Sequence, residues 1–279
     1  MPPQTEKISC TLMISTYNWP EALALVLESV RRQTRIPDEV IVADDGSGEP
    51  TRTLIDSFRR KMPCPLIHVW QEDLGFRKCI IWNEAIRRAK YDYIVQIDGD
   101  CVLDADFIAD HLRFAKPGTF VCGSRTLLSR ELTQALLADP RREISPFSQG
   151  VSNKVNALRI RPLSVFFAAR YRANVPYISK GCNMAFWRKD LLAVNGYNET
   201  ISGWGREDAE IEVRLMKLGI RRRSLKFGGV QYHLFHKELD RSRDARNIEI
   251  LNRALASDDF RTPFGIVKEN AVETVSKNT

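Results

Sequence analysis

The part of this sequence richest in possible chemistry is Tyr91–Asp100, a β-rich run that ends in two carboxylates separated by one glycine. A strand rises about 3.3 Å per residue and turns alternate side chains to the same face, so Asp98 and Asp100 could converge on one cation. Gly99 lets the backbone turn there and lets a ligand come close. Two hard oxygen donors at a strand end suit Mg²⁺ or Mn²⁺ carrying a phosphate. A solvated strand end with acidic turn residues would carry the same letters, since Asp-x-Asp is common by chance. Two further acidic pairs stand at comparable borders. Asp44-Asp45 closes an apolar run, and Glu207-Asp208 opens an amphipathic one. The second pair has a structural account, because an acidic first turn favours the helix dipole. The preceding Gly203-Trp204-Gly205 is harder to explain by packing. It suggests a mobile or closely packed loop carrying an aromatic ring of the kind on which a sugar face stacks.

The elements that must position these groups follow from periodicity. Strand-like runs at 8–15, 39–44, 66–70 and 91–98 alternate with helix-like stretches at 21–30, 51–60 and 78–89, and Pro20 is placed for a first helical turn. That alternation predicts βαβ units, hence an α/β fold with a mostly parallel sheet flanked by helices. In such sheets ligands bind beyond the carboxyl ends of the strands. Three predicted strands end there in polar clusters: Thr16-Tyr17-Asn18, Asp44-Asp45 and Asp98-Gly99-Asp100. No G-x-G-x-x-G follows the first strand and no G-x-x-x-x-G-K-[ST] occurs, which disfavours dinucleotide dehydrogenases and P-loop enzymes. Phosphates would then be held by metal rather than by a glycine loop.

Beyond a strand at 120–124 the alternation stops. Residues 124–176 carry nine basic and three acidic side chains, four prolines, and possible short helices at 130–138 and 152–159. Phe166 and Phe167 lie among Arg159, Arg161, Arg170 and Arg172. They could form a membrane-touching face, but the preferred reading is an ordinary helix with its aromatics inward. Order returns at 177–186, followed by a helix at 207–218 closed by Gly219, a strand at 222–227, and Gln231–His236. The tail from Asp240 is polar and arginine-rich, with fraying expected over 267–279.

Composition narrows the classes. The net charge of +7 favours an anionic partner. No helix-turn-helix, RNP-type or finger motif accompanies it, so no nucleic acid is expected. An acidic substrate or an anionic membrane surface explains the basic middle equally well. The absence of an 18-residue apolar run predicts no transmembrane helix, and the polar Met1–Lys7 predicts a cytoplasmic protein. Six cysteines, at 10, 64, 79, 101, 122 and 182, lack CxxC spacing and sit mostly in apolar runs, which predicts buried free thiols.

Thr16-Tyr17-Asn18, Asp44-Asp45-Gly46-Ser47, Asp98-Gly99-Asp100 and Gly203-Trp204-Gly205-Arg206-Glu207-Asp208 occur in the order found in family 2 glycosyltransferases with the GT-A fold, and the chain resembles that family. Glu72–Arg77 followed by Trp82-Asn83-Glu84-Ala85 strengthens the likeness. From Gly181-Cys182-Asn183 through the histidines the chain is similar to the galactosyltransferase-type C-terminal region of bacterial chondroitin-polymerase-like and animal β-1,4-galactosyltransferase enzymes. The resemblance covers about 8–125 and 177–240 and implies one GT-A domain over 1–240. That domain would comprise a nucleotide-sugar-binding half (1–123), a basic helical insertion (124–176) and an acceptor and catalytic half (177–240), with 241–279 as a helical or flexible tail.

The resemblance also implies roles. Thr16, Tyr17 and Asn18 would line the base and ribose pocket, Asp44 or Asp45 would meet the uracil edge, and Arg77 would lie near the diphosphate. Asp98, with Gly99, would contact ribose or metal, and Asp100 would coordinate Mn²⁺ or Mg²⁺. Trp204 would flank the acceptor sugar, Glu207 would hydrogen-bond it, and Asp208 would be the general base. His236, with His233 as second choice, matches a further metal ligand. An imidazole pairs naturally with Mn²⁺ beside carboxylates, and two of the four histidines lie three apart here. The expected activity is inverting transfer from a UDP-sugar to a hydroxyl of a glycan or glycolipid in bacterial cell-surface polysaccharide synthesis, with peripheral contact to the inner membrane face. A metal-dependent nucleotidyltransferase and a non-catalytic nucleotide-sugar-binding domain are the rival readings.

Overall fold

The computed structural model describes residues 8–171, 179–237 and 241–268. β1 (Cys10–Thr16), β2 (Glu39–Asp44), β3 (Leu66–Trp70) and β4 (Tyr93–Asp98) alternate with α1 (Pro20–Arg31), α2 (Glu49–Arg59) and α3 (Lys78–Arg88). Next come β5 (Cys101–Leu103), α4 (Phe107–Phe114), β6 (Thr119–Cys122), β7 (Thr126–Leu128), α5 (Arg130–Ala138), β8 (Val151–Ser152) and α6 (Arg161–Phe167). The last third holds β9 (Asn183–Trp187), α7 (Arg188–Ala193), α8 (Glu207–Lys217), β10 (Arg221–Ser224), β11 (Gln231–His233) and α9 (Asp244–Ala256).

Seven strands form one sheet in the order β10-β6-β9-β4-β1-β2-β3. All neighbours are parallel except β9, which runs antiparallel between β4 and β6. Alternation along each strand explains the two cores. Leu12 and Ile14 of β1, Val40 and Val42 of β2, and Tyr93, Val95 and Ile97 of β4 face the cluster that includes Leu23 and Val26 of α1. Met13, Ile41, Ala43 and Ile94 face the opposite cluster with Trp82 and Ile86 of α3 and Ile211 and Leu215 of α8. A sheet covered on both faces needs apolar residues at every position, which is why these strands read as unbroken apolar runs. A smaller sheet, β5-β11-β7-β8, packs over Leu25 and Leu132 and brings the histidine segment alongside Cys101.

The predicted strands and helices of the first hundred residues are present, with ends displaced by at most a few positions. Two expectations are corrected. The helix expected at 152–159 is only a 3₁₀ turn at Lys154–Ala157, because Asn153 takes a left-handed φ of 56° and interrupts the run. In α6 and at its C-cap it is Ser164 and Ala168 that turn inward; Phe167 is half-buried and packs on Phe227, but Phe166 is 54% exposed and does not pack as expected. The tail, expected as helical or flexible, contains α9, which packs against α8. The strand start expected at Tyr177, Arg172 and Pro176 of the basic segment, Met1–Lys7, and the fraying expected over 269–279 lie outside the described residues. All six cysteines are free, and all but Cys64 are buried. Among the described residues no helix is long and apolar enough to cross a membrane.

Candidate active site

Parallel pairing places β4, β1 and β2 side by side, with Ser15 beside Asp98 and Thr16 beside Asp44. The three polar strand ends therefore form one edge. Gly99 closes it: its N–H donates to the Ser15 carbonyl at 2.7 Å, and a Cβ there would stand 2.7 Å from that oxygen. Only glycine fits this approach.

The turn at Gly99 gives the two aspartates different partners. Asp98 ends β4 and accepts from Ser15 Oγ at 2.8 Å and Lys78 Nζ at 2.6 Å. Burial works to raise its carboxyl, but the Lys78 charge and these hydrogen bonds overcome it and hold Asp98 below the usual carboxylate range. Asp100 lies beyond the strand and faces the histidines. His236 Nε2 is 3.3 Å and His233 Nε2 3.5 Å from Asp100 Oδ2. Both candidates thus reach the same oxygen, delivered by β11 pairing with β5. The imidazole Nδ1 of His236 lies 2.7 Å from the Lys237 carbonyl, which turns Nε2 inward. Cys101 completes a possible donor cluster with Asp100 and His233. Burial drives its thiol well above the usual value. One carboxylate and two imidazoles suit a borderline cation such as Mn²⁺.

On the neighbouring strand end the acidic oxygens are already engaged. Asp44 accepts from the Ser47 N–H at 2.8 Å and is hydrogen-bonded to His68 Nε2 at 2.8 Å. Asp45 accepts from the Arg77 N–H at 2.8 Å and from Gln71, tying the 71–77 loop to the edge. Burial raises its carboxyl despite these bonds. Asn18 adopts a left-handed φ of 44° and receives the Gly48 N–H, so the 16–18 and 46–48 loops are clamped together. Tyr17 stays half exposed and donates to Asp73 at 2.9 Å. Beyond the edge, Arg77 donates to the Glu72 carbonyl and leaves its Nε buried without a partner.

Glu207 and Asp208 open α8, both partly buried. Asp208 accepts from the Ala209 N–H at 2.7 Å and the Gly181 N–H at 3.2 Å. Burial raises its carboxyl, against the pull of those two N–H groups and of Lys180 and Lys78. Glu207 is pushed up to about 7 by burial and by the Asp208 charge, and its Oε2 has no partner. Lys78 links the two carboxylate groups. Burial alone would lower its ammonium, but Asp98 and Glu207 more than reverse that.

Several positioning groups were not anticipated from sequence. Buried Gln96 of β4 donates to the Gly181 carbonyl at 2.9 Å and accepts from Tyr197 Oη at 2.7 Å, so it fixes the peptide that meets Asp208. A glutamine inside the apolar run Tyr93–Ile97 was the available signal. The larger omission is α9. Asn247 Nδ2 donates to the carbonyls of Ser202, Gly205 and Trp204 at 3.1, 3.1 and 3.4 Å. Asp244 receives a two-pronged hydrogen bond from Arg206 at 2.8 and 2.9 Å. Gly203 and Gly205 have positive φ, at 73° and 99°, which glycine takes freely, whereas Arg206 at 78° takes it at a cost that its ion pair with Asp244 of α9 helps to offset. The Arg241 guanidinium covers the Trp204 ring at 4.6 Å. A cavity of about 280 Å³ opens between the residues after β6, Asn153 and Lys180.

A family model for glycosyl transferase family 2 matches residues 11–175, more than half of the chain. A second model, for the N-terminal domain of galactosyltransferase, matches 161–237, and α9 lies beyond both. Chondroitin synthase of Escherichia coli is 29% identical over 238 residues, covering 80% of this chain and 34% of that protein. Validoxylamine A glucosyltransferase of Streptomyces hygroscopicus subsp. limoneus is 26% identical over 221 residues, 75% of this chain and 48% of that protein. The chain therefore spans between a third and a half of the length of these relatives. A mannosyltransferase from Pyrobaculum calidifontis in complex with GDP-Man and Mn²⁺ superposes with a TM-score of 0.63 at 20% identity, covering 91% of this chain and 66% of that one. TarS 1-349 of S. aureus in complex with UDP gives 0.58 at 13% identity, with 90% and 66% covered.

Proposed function

The chain belongs to glycosyl transferase family 2 and is a glycosyltransferase on a GT-A fold, and from that premise we propose that it moves a sugar, with inversion, from a UDP-sugar to a hydroxyl of a glycan or glycolipid acceptor. The observation that carries this reading is the meeting of two unlike carboxylate groups around Lys78. Asp98 lies on the strand-end edge and is held ionised, and Glu207-Asp208 lies on α8 with raised proton affinity. Thr16, Tyr17, Asn18 and Asp45 line the edge where the nucleoside would rest, with Asp44 bracing it from beneath and Arg77 beside it. Relatives named as polysaccharide synthases and neighbours holding GDP-Man with Mn²⁺ or UDP support a nucleotide-sugar donor, a divalent cation and a role in polysaccharide building.

Asp100, His233 and His236 would hold the divalent cation, which when bound supplies positive charge to a departing diphosphate. Glu207 hydrogen-bonds the acceptor and Trp204 flanks its ring. Asp208 takes the proton of the acceptor hydroxyl as that oxygen bonds to the anomeric carbon, from the face opposite the diphosphate. The carbon–oxygen bond to the diphosphate breaks, one glycosidic bond forms, and the proton ends on Asp208. A positioned base of this kind contributes ~10²–10⁴-fold. Its elevated affinity for a proton, from burial, suits it to the task without any further activator.

A panel of UDP-sugars and GDP-mannose with Mn²⁺, read by nucleoside diphosphate release and by thermal shift, tests the proposal. One UDP-sugar should stabilise the protein and yield UDP. Release of pyrophosphate would indicate nucleotidyl transfer instead, and binding without any turnover would leave a non-catalytic binder.

A further inference from the structure

The roles assigned above leave the lining of the cavity beside Lys180 without a purpose. The cavity is lined by Ser124, Arg125, Asn153, Lys180, Arg222 and Ser224 among others, and among the described residues no aspartate or glutamate faces it. Arg222 is already neutralised by the buried Glu212. Arg125 and Lys180 form no ion pair among the described residues. Arg125 is half-buried and rests against the Cys182 thiol, while Lys180 is exposed. A cation withdrawn from water without a counter-ion is costly, so an arginine left this way in an open, polar cavity is poised for an anion. The guanidinium fork matches a carboxylate or phosphate, and an ammonium beside it adds a point charge.

Position and size define what fits. Lys180 immediately precedes Gly181, whose N–H holds Asp208 at 3.2 Å. At the other wall, the cavity-lining Leu127 of β7 pairs directly with His233 of β11. The cavity thus lies between the base and the metal-ligating cluster. Its volume of about 280 Å³ falls just under the ~300–1,000 Å³ of pockets that take drug-sized ligands, which leaves room for one sugar unit rather than a nucleotide.

We propose that this cavity is a subsite for an anionic sugar, in which a carboxylate or phosphate on one of the two sugars that meet at Asp208 is held by Arg125 and Lys180. Ser124, Asn153 and Ser224 meet the ring hydroxyls. The subsite rests on the glycosyltransferase reading and narrows its substrate class.

The test uses matched probes and the full chain. Octyl glucuronide, octyl glucoside 6-phosphate and octyl glucoside serve as acceptors with the best UDP-hexose. In a second arm a UDP-hexuronate is compared with the UDP-hexose on a neutral acceptor. The wild type should favour the anionic probe roughly 10- to 100-fold in kcat/KM, the discrimination available from charge-assisted hydrogen bonds. Lys180→Gln, an exposed change that leaves packing intact, and Arg125→Gln should each cut that ratio about tenfold. A preference in the first arm places the anion on the acceptor, and one in the second places it on the donor; either supports the subsite. Equal use of charged and neutral sugars in both arms overturns it. So does a tenfold rise in the KM of the neutral UDP-hexose in both variants, which would assign the cations to the diphosphate. Saturation-transfer NMR with octyl glucuronide against octyl glucoside gives a readout without turnover. Selective binding of the glucuronide, lost in Lys180→Gln, supports the subsite even if no donor releases UDP, an outcome that would remove the transferase mechanism alone.

Discussion

The strand-end edge and the N-terminus of α8 both present clustered carboxylates, yet they are built by opposite means. At the edge, β1, β2 and β4 are locked in register. The oxygens of Asp44, Asp45 and Asp98 are met by backbone N–H groups, His68, Gln71, Ser15 or Lys78. Asp98 is thereby kept ionised. At α8 the pair stands after a loop with three positive φ angles, Glu207 Oε2 has no partner, and both carboxyls are raised by burial. Hydrogen-bonded sheet geometry makes a rigid cradle for a ligand that arrives already charged. A strained loop clamped from outside makes a place where a proton can be accepted. The difference in surroundings, not in residue type, separates the two roles.

Substitutions can break or sharpen this contrast. The largest effect is expected for Asp208→Asn, which should lower kcat by ~10²–10⁴-fold while UDP affinity with Mn²⁺ stays as in the wild type. Its mirror image is Asp100→Ala, which should abolish the Mn²⁺-dependent part of UDP binding measured by calorimetry. If each change impaired both properties equally, the two regions would not be distinct. Smaller is the effect of Asn247→Ala. Losing the donor to three carbonyls should cost ~1–3 kcal/mol of stability and raise the KM for acceptor several-fold, with donor KM unmoved. An unchanged acceptor KM would show that α9 does not position the loop.

The smallest effect concerns pH. The Glu207 carboxyl sits at about 7 in the folded protein against 4.5 when unfolded. Between those values the folded state keeps a proton the unfolded chain has released. Its contribution to stability is therefore greatest below pH 4.5, declines as pH rises through 7, and is flat above. Glu207→Gln should raise Tm relative to wild type at pH 8 and not at pH 4.5. An equal offset at both pH values would contradict the raised carboxyl.

What was legible beforehand follows from the range of the forces involved. β1 to β4 and their helices are written in local periodicity, because a sheet covered on both faces demands continuous apolar strands. The polar strand ends could be found for the same reason. The separate roles of Asp98 and Asp100 come only with the family resemblance, since their physical basis is a turn at Gly99 and His233 and His236 arriving from more than 130 residues away. α5 was found by its spacing, whereas α6 was misjudged because small Ser164 and Ala168 occupy the inward positions and leave Phe166 outside. For the tail, composition leaves helix and flexible chain both open and gives no sign of what α9 touches. Its inward side is polar, and Asp244 and Asn247 bind loop carbonyls and an arginine rather than apolar side chains. Hydrophobic patterning has no means of marking such a contact.

Lys78 gives the two halves a common ground. One ammonium is hydrogen-bonded to Asp98 at 2.6 Å and acts electrostatically on Glu207. Any change in charge around Asp98 alters how much of the Lys78 field remains for Glu207, and thermodynamic reciprocity makes the converse hold. Mutational energies at Asp98 and Glu207 therefore will not add, even though the side chains belong to different elements. Donor loading becomes visible as a shift in proton occupancy on the acceptor side, so the heat of nucleotide binding should vary with the ionisation enthalpy of the buffer.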